Sequence, residues 1–113
     1  MWLGLLLACT GTDDSAETAV DPLCVDAPIV TYETFGAGFV EENCQSCHAS
    51  TSLDRQGAPS FVVFDTVDDV WALDERILQV AVPDPPMMPP QGGTTADDRA
   101  KLEIWLTCAE MGT

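Results

Sequence analysis

Apolar positions recur with a helical period from residue 31 onward. Tyr32, Phe35, Phe39 and Val40 share one side of a stretch that predicts a helix over roughly 32–46. Gly36 and Gly38 weaken that helix by up to about 1 kcal/mol each relative to Ala; a glycine kept at such a cost permits close approach of another helix. Residues 49–59 read as loop, broken by Ser, Thr, Gly57 and Pro59. The apolar run 60–64 is too short for its period to be diagnostic. Thr66 as N-cap, with Asp69 three residues on, opens a second helix. Val67, Val70, Trp71, Ile77, Leu78 and Ala81 mark its apolar side up to about Val82. A similar start at Thr95, followed by Asp97 and Asp98, opens a third helix. Its inward stripe is Leu102, Trp105, Leu106 and Ala109, it runs to about Glu110, and Gly112 is its stop.

The remaining stretches are not periodic. Residues 10–28 combine Gly, Thr, Ser and Pro with Asp13, Asp14, Glu17, Asp21 and Asp26, a composition too poor in apolar surface to order itself. The expected organisation is a targeting segment over 1–9, an acidic flexible tether over 10–30 and one folded domain over 31–113. A domain of that size has a marginal side-chain core. Residues 83–93 contain five prolines, which remove donors and fix φ, so this segment is neither helix nor central strand. It holds Met87 and Met88 between two proline pairs.

Charge narrows the partners. The chain carries 19 Asp and Glu against 4 Lys and Arg, a net charge of −15. Nucleic acid demands a basic face, so it is not an expected partner. An acidic surface can steer a basic one, although Asp68, Asp69, Asp97 and Asp98 also suit the first turns of helices.

The chemistry centres on Cys44-Gln45-Ser46-Cys47-His48, a C-x-x-C-H pentapeptide and the c-type haem attachment pattern. Two thiols three positions apart can each form a thioether to one haem vinyl group, and the next residue brings an imidazole under the same porphyrin to bind iron. Residues 60–64 would then line the cofactor or pack beneath it. Three rivals share the spacing. A thioredoxin-like dithiol wants a βαβ context that this chain lacks. A zinc site needs four ligands, which Cys24 or Cys108 would have to help supply. A Cys44–Cys47 disulfide is the third.

The other cysteines sort by position. Cys9 follows Leu6-Leu7-Ala8, which resembles a bacterial lipobox and would make Cys9 a lipidation site, although no Lys or Arg precedes the apolar run. Cys24 and Cys108 are left over, and in an oxidising compartment they are expected to pair. Closing so long a loop contributes on the order of 4 kcal/mol on the chain-entropy model.

An iron held by His48 needs a ligand on its other face. His48 is the sole histidine, Met1 lies in the targeting segment and Met111 at the far end, so Met87 and Met88 remain. His/Met ligation raises the reduction potential.

Together these residues resemble a monohaem class I cytochrome c domain over roughly 31–112, and the whole is similar to a bacterial cytochrome c lipoprotein. The resemblance implies an all-α fold of about three helices wrapped around one covalent haem, with the N- and C-terminal helices crossing. It sets Gly36 against Trp105 at that crossing, with Val40 standing where the family has an aromatic. It makes the carbonyl of Pro59 the acceptor for the second ring N–H of His48, and it favours Met88 over Met87 as ligand because Met88 directly precedes a proline.

The function so implied is extracytoplasmic one-electron transfer, not enzyme catalysis. The carrier would be a monomer, anchored in the bacterial periplasm by lipid at Cys9 and serving redox proteins with a basic docking face. Arg55 and Trp71 are candidate neighbours of the haem propionates, although an ordinary surface or core role fits each of them better. Two other classes stand beside this one. Without a Met ligand, a five-coordinate haem could act as an enzyme or gas sensor. Without haem, the chain would be a disulfide-braced interaction module.

Overall fold

The computed structural model describes residues 20–113, and this part is all-α, with no strand among the described residues. The targeting segment, Cys9 and the first half of the expected tether lie outside the described residues.

The first long element is built in three pieces. Thr31 caps it reciprocally with Thr34: the Thr31 hydroxyl accepts from the Thr34 amide at 3.2 Å, and the Thr34 hydroxyl accepts from the Thr31 amide at 3.1 Å. A π-helical turn, Tyr32–Gly36, leads into α1, Ala37–Asn43, and α2, Gln45–His48, follows after a break at Cys44. The single helix expected over 32–46 is therefore interrupted just where the C-x-x-C-H begins.

The middle helix is also split. It forms as α3, Val67–Ala72, and α4, Asp74–Ala81. Thr66 and Asp69 make the full capping box expected of them. Leu73 leaves helical geometry (φ −123°, ψ 22°), and the Asp74 carboxylate accepts from the Glu75 amide at 2.7 Å. Two acids at this point favour a fresh N-terminal turn over continuation.

The last helix, α5, spans Ala96–Cys108 and is capped by the Thr95 hydroxyl, which accepts from the Asp98 amide at 3.1 Å. It packs against α4, the π turn and a short 3-10 turn, Pro22–Cys24. Cys24 of that turn is disulfide-bonded to Cys108, as expected, with the Cα atoms 5.4 Å apart. Val30 is buried in the core. The latter part of the segment expected as a free tether is thus docked on the domain, because the disulfide and Val30 both hold it there.

Trp105, at 0% exposure, joins the three helical regions. Its ring meets Tyr32 at 6.1 Å and the edge of Trp71 at 6.0 Å, separations at which aromatic pairs add about 0.5–1.5 kcal/mol beyond burial. Leu102 and Val70, each 1% exposed, fill the space beside it. Gly36 lies directly against the Trp105 ring, as the resemblance implies.

Candidate functional site

The site is built where α1 ends. Asn43 Nδ2 donates to the Phe39 carbonyl at 3.0 Å, and Cys44 N donates to Val40 O at 2.9 Å. Cys44 then leaves helical geometry and starts a new turn, its carbonyl accepting from Cys47 N at 3.3 Å and His48 N at 2.9 Å. Cys44, Cys47 and His48 all lie on this one turn. Both thiols are half-buried and unbonded.

The histidine is held on three sides. Its Nδ1–H donates to the Val62 carbonyl at 3.0 Å, its ring packs on Phe64 at 5.3 Å, and its own carbonyl accepts from Phe64 N at 2.6 Å. Gln45 Nε2 completes the clasp by donating to Phe64 O at 2.9 Å. Because a carbonyl only accepts, Nδ1 carries a proton, and in the neutral ring the lone pair is then on Nε2. Nε2 has no hydrogen-bond partner among the described residues. Residues 60–64 therefore position the imidazole from behind.

The acceptor for His48 differs from the expected one. Pro59 O takes Val62 N at 3.0 Å and Arg55 Nη2 at 2.7 Å instead. The turn closed by the first of these bonds folds the chain back, so the carbonyl three residues later reaches the ring. Arg55 is likewise spent within the loop. It donates to the carbonyls of Ala49 at 2.9 Å, Ala58 at 3.4 Å, Pro59 and Val62 at 2.9 Å. With its fork committed to backbone oxygens, it no longer suits the propionate role suggested for it.

The methionine loop is tied at three points. Met87 N and Met88 N both donate to Val80 O of α4, at 2.8 and 2.9 Å. Arg99 of α5 approaches Asp84 at 3.7 Å. Gln91 Nε2 donates to Gln56 Oε1 at 3.2 Å, joining this loop to the one that follows His48. The two joined loops carry Leu53, Phe61, Met87 and Met88. Phe61 is 82% exposed, Met87 68% and Met88 38%, and Leu53 is fully exposed.

Two rivals lose ground on this geometry. Burial pushes the Cys44 thiol up to about 11, whereas a redox dithiol needs a lowered one. Cys24 and Cys108 are bonded to each other, so they cannot complete a zinc shell with Cys44, Cys47 and His48. No group of three or more His, Cys, Asp or Glu among the described residues could hold a metal ion by itself. The ring nitrogens of Trp71 and Trp105 are buried without a partner, and an orphan donor costs about 1–3 kcal/mol.

Val62, Phe64, the Gln56–Gln91 bridge and the part played by Arg55 do not follow from periodicity. The one available signal is scarcity: the chain has only 4 Lys and Arg, and one of them stands inside a loop that no helix needs. No protein-family model, curated protein or solved structure matches this chain.

Proposed function

We propose that the chain binds one haem c through Cys44 and Cys47 and works as an extracytoplasmic one-electron carrier. The observation that carries this is the state of His48: its Nδ1 proton is pinned to Val62, its Nε2 is free to ligate, and two unbonded thiols precede it on the same turn. The residues fit a haem in further respects. Phe61, Leu53, Met87 and Met88 offer apolar contact to a flat macrocycle, and the Trp71 indole N–H is a donor awaiting an acceptor such as a propionate.

The bound haem would supply an iron that takes up and releases one electron. His48 would be one ligand to that iron, its Nδ1 proton held by Val62. Met88, with Met87 as alternative, would be the second, on a loop stiffened by prolines and anchored to Val80. The Cys24–Cys108 bond supports an oxidising compartment. Lipid at Cys9 would tether the domain to a membrane, and the net charge of −15 suits a partner with a basic docking face.

The test is intact mass and a pyridine haemochrome assay on protein matured with haem-attachment machinery. One haem's added mass is expected, and it should vanish in a Cys44→Ala/Cys47→Ala variant. Colourless, unmodified protein would overturn the proposal. Rapid CO binding by the reduced protein at neutral pH would replace the carrier with a gas-binding haem protein.

A further inference from the structure

Two donors converge on one backbone oxygen. The Val62 carbonyl accepts His48 Nδ1–H at 3.0 Å and Arg55 Nη2–H at 2.9 Å. A carbonyl has two lone pairs and can serve both, but the two bonds draw on the same electron density. The bond from the guanidinium is charge-assisted, and such bonds are about twice as strong as neutral ones. What Arg55 takes from this oxygen is withdrawn from the bond to His48.

That bond bears on the ligand. A strong acceptor at Nδ1–H pushes electron density through the ring and makes Nε2 a better donor to a metal; a weak acceptor does the reverse. A better donor favours the ferric state, and a poorer one the ferrous. Arg55 does not touch the iron's ligand directly, and three of its four contacts go to Ala49, Ala58 and Pro59, so it also shapes the loop.

We infer that Arg55 is a positioning residue that raises the reduction potential of a haem ligated by His48, by competing for the Val62 carbonyl. This rests on the proposed haem ligation and goes beyond it by assigning the tuning of the potential to a particular side chain.

The experiment compares Arg55→Gln with the unmutated protein, both haem-loaded, by spectroelectrochemistry and by NMR of the diamagnetic ferrous form. With the competitor gone, the His48 Hδ1 resonance moves downfield and the potential falls. A purely structural arginine gives the opposite Hδ1 shift, because a frayed loop takes Val62 away from the ring. A lower potential with Hδ1 unmoved assigns the effect to charge alone and overturns the inference, as does no change in either. Should Arg55→Gln not fold, the unmutated ferrous protein gives its own answer through hydrogen-bond scalar couplings. Both His48 Nδ1 and an Arg55 Nη must couple to the Val62 carbonyl carbon, and absence of the arginine coupling overturns the inference. Failure to attach haem at all is a separate result, seen in the mass, and defeats the underlying proposal instead.

Discussion

A Cβ atom on Gly36 would lie 2.5 Å from Cη2 of Trp105, and 2.7 Å from both Cζ2 and Cζ3. No real Cβ sits so close to another heavy atom, and the indole cannot yield, since Tyr32 and Trp71 pack around it. The end of the π turn and the last turn of α5 therefore touch only because residue 36 has no side chain.

Gly36→Ala is expected to lower stability by at least the 1–3 kcal/mol or so typical of overpacking, despite alanine's better helix propensity. Trp105→Ala should cost about 3–5 kcal/mol. The double variant should cost less than the sum, because the added methyl occupies space the indole vacated. Urea denaturation of the four proteins checks this, and strict additivity would separate the two residues.

Reducing the Cys24–Cys108 bond, or replacing both cysteines with serine, should lower stability by up to about 4 kcal/mol on the loop-entropy model. It should also free the Pro22–Cys24 turn, which that bond joins to α5. Thermal melts with and without reductant measure the first effect. Limited proteolysis near residue 25 measures the second.

At high pH the haem-free protein should weaken through Cys44. Burial raises this thiol from 9.0 to about 11, so its stabilising contribution is complete below pH 9.0 and is lost as pH rises through about 11. The stability difference between unmutated protein and Cys44→Ala should shrink across that window. Thioether formation removes the titrating group, so the haem-bound protein should lack this component.

At low pH the relevant carboxylate is Asp65. The hydroxyl and amide of Ser50 hold it below its ordinary 3.8, with a smaller contribution from Arg55. A depressed pKa stabilises above the unfolded value and ceases to as pH falls through the folded one. Asp65→Asn should therefore differ from the unmutated protein near neutrality and converge with it in acid, as followed by pH-dependent melts.

On the proposed His48/Met88 ligation, Met88→Ala should abolish the sulfur-to-iron charge-transfer absorption of the ferric haem protein, lower its potential and open the ferrous form to CO. Met87→Ala should leave all three nearly unchanged. A reversal of the two variants would make Met87 the ligand.

Much of this architecture was legible because it depends on local rules. Thr66 with Asp69, and Thr95 before Asp98, announce helix starts through side-chain chemistry confined to four residues. The Cys24–Cys108 pair followed from counting. The break at Leu73 was hidden because the apolar period runs on through Ile77 and Leu78; only Asp74 and Glu75 signal it. The partner of His48 lies three residues beyond the one the resemblance implies, since a turn closed by Pro59 O decides which carbonyl reaches the ring, and turns of this kind leave little trace in composition. The role of Arg55 is hidden for the same reason. Its partners are backbone oxygens, which every residue supplies alike.

The cross-link from Cys24 to Cys108 also bears on biogenesis. Four cysteines among the described residues offer six possible single disulfides, and only the one observed leaves both Cys44 and Cys47 free for the proposed alkylation by a vinyl group. For the proposed haem attachment the two that must stay reduced are the inner pair in chain order, and the outer pair can meet only after α5 is made and folded back. Any oxidant acting on the nascent chain would find Cys44 and Cys47 as nearest neighbours first, so assembly of such a haem protein would require a reductant, or an early capture of those thiols, before the outer bond closes.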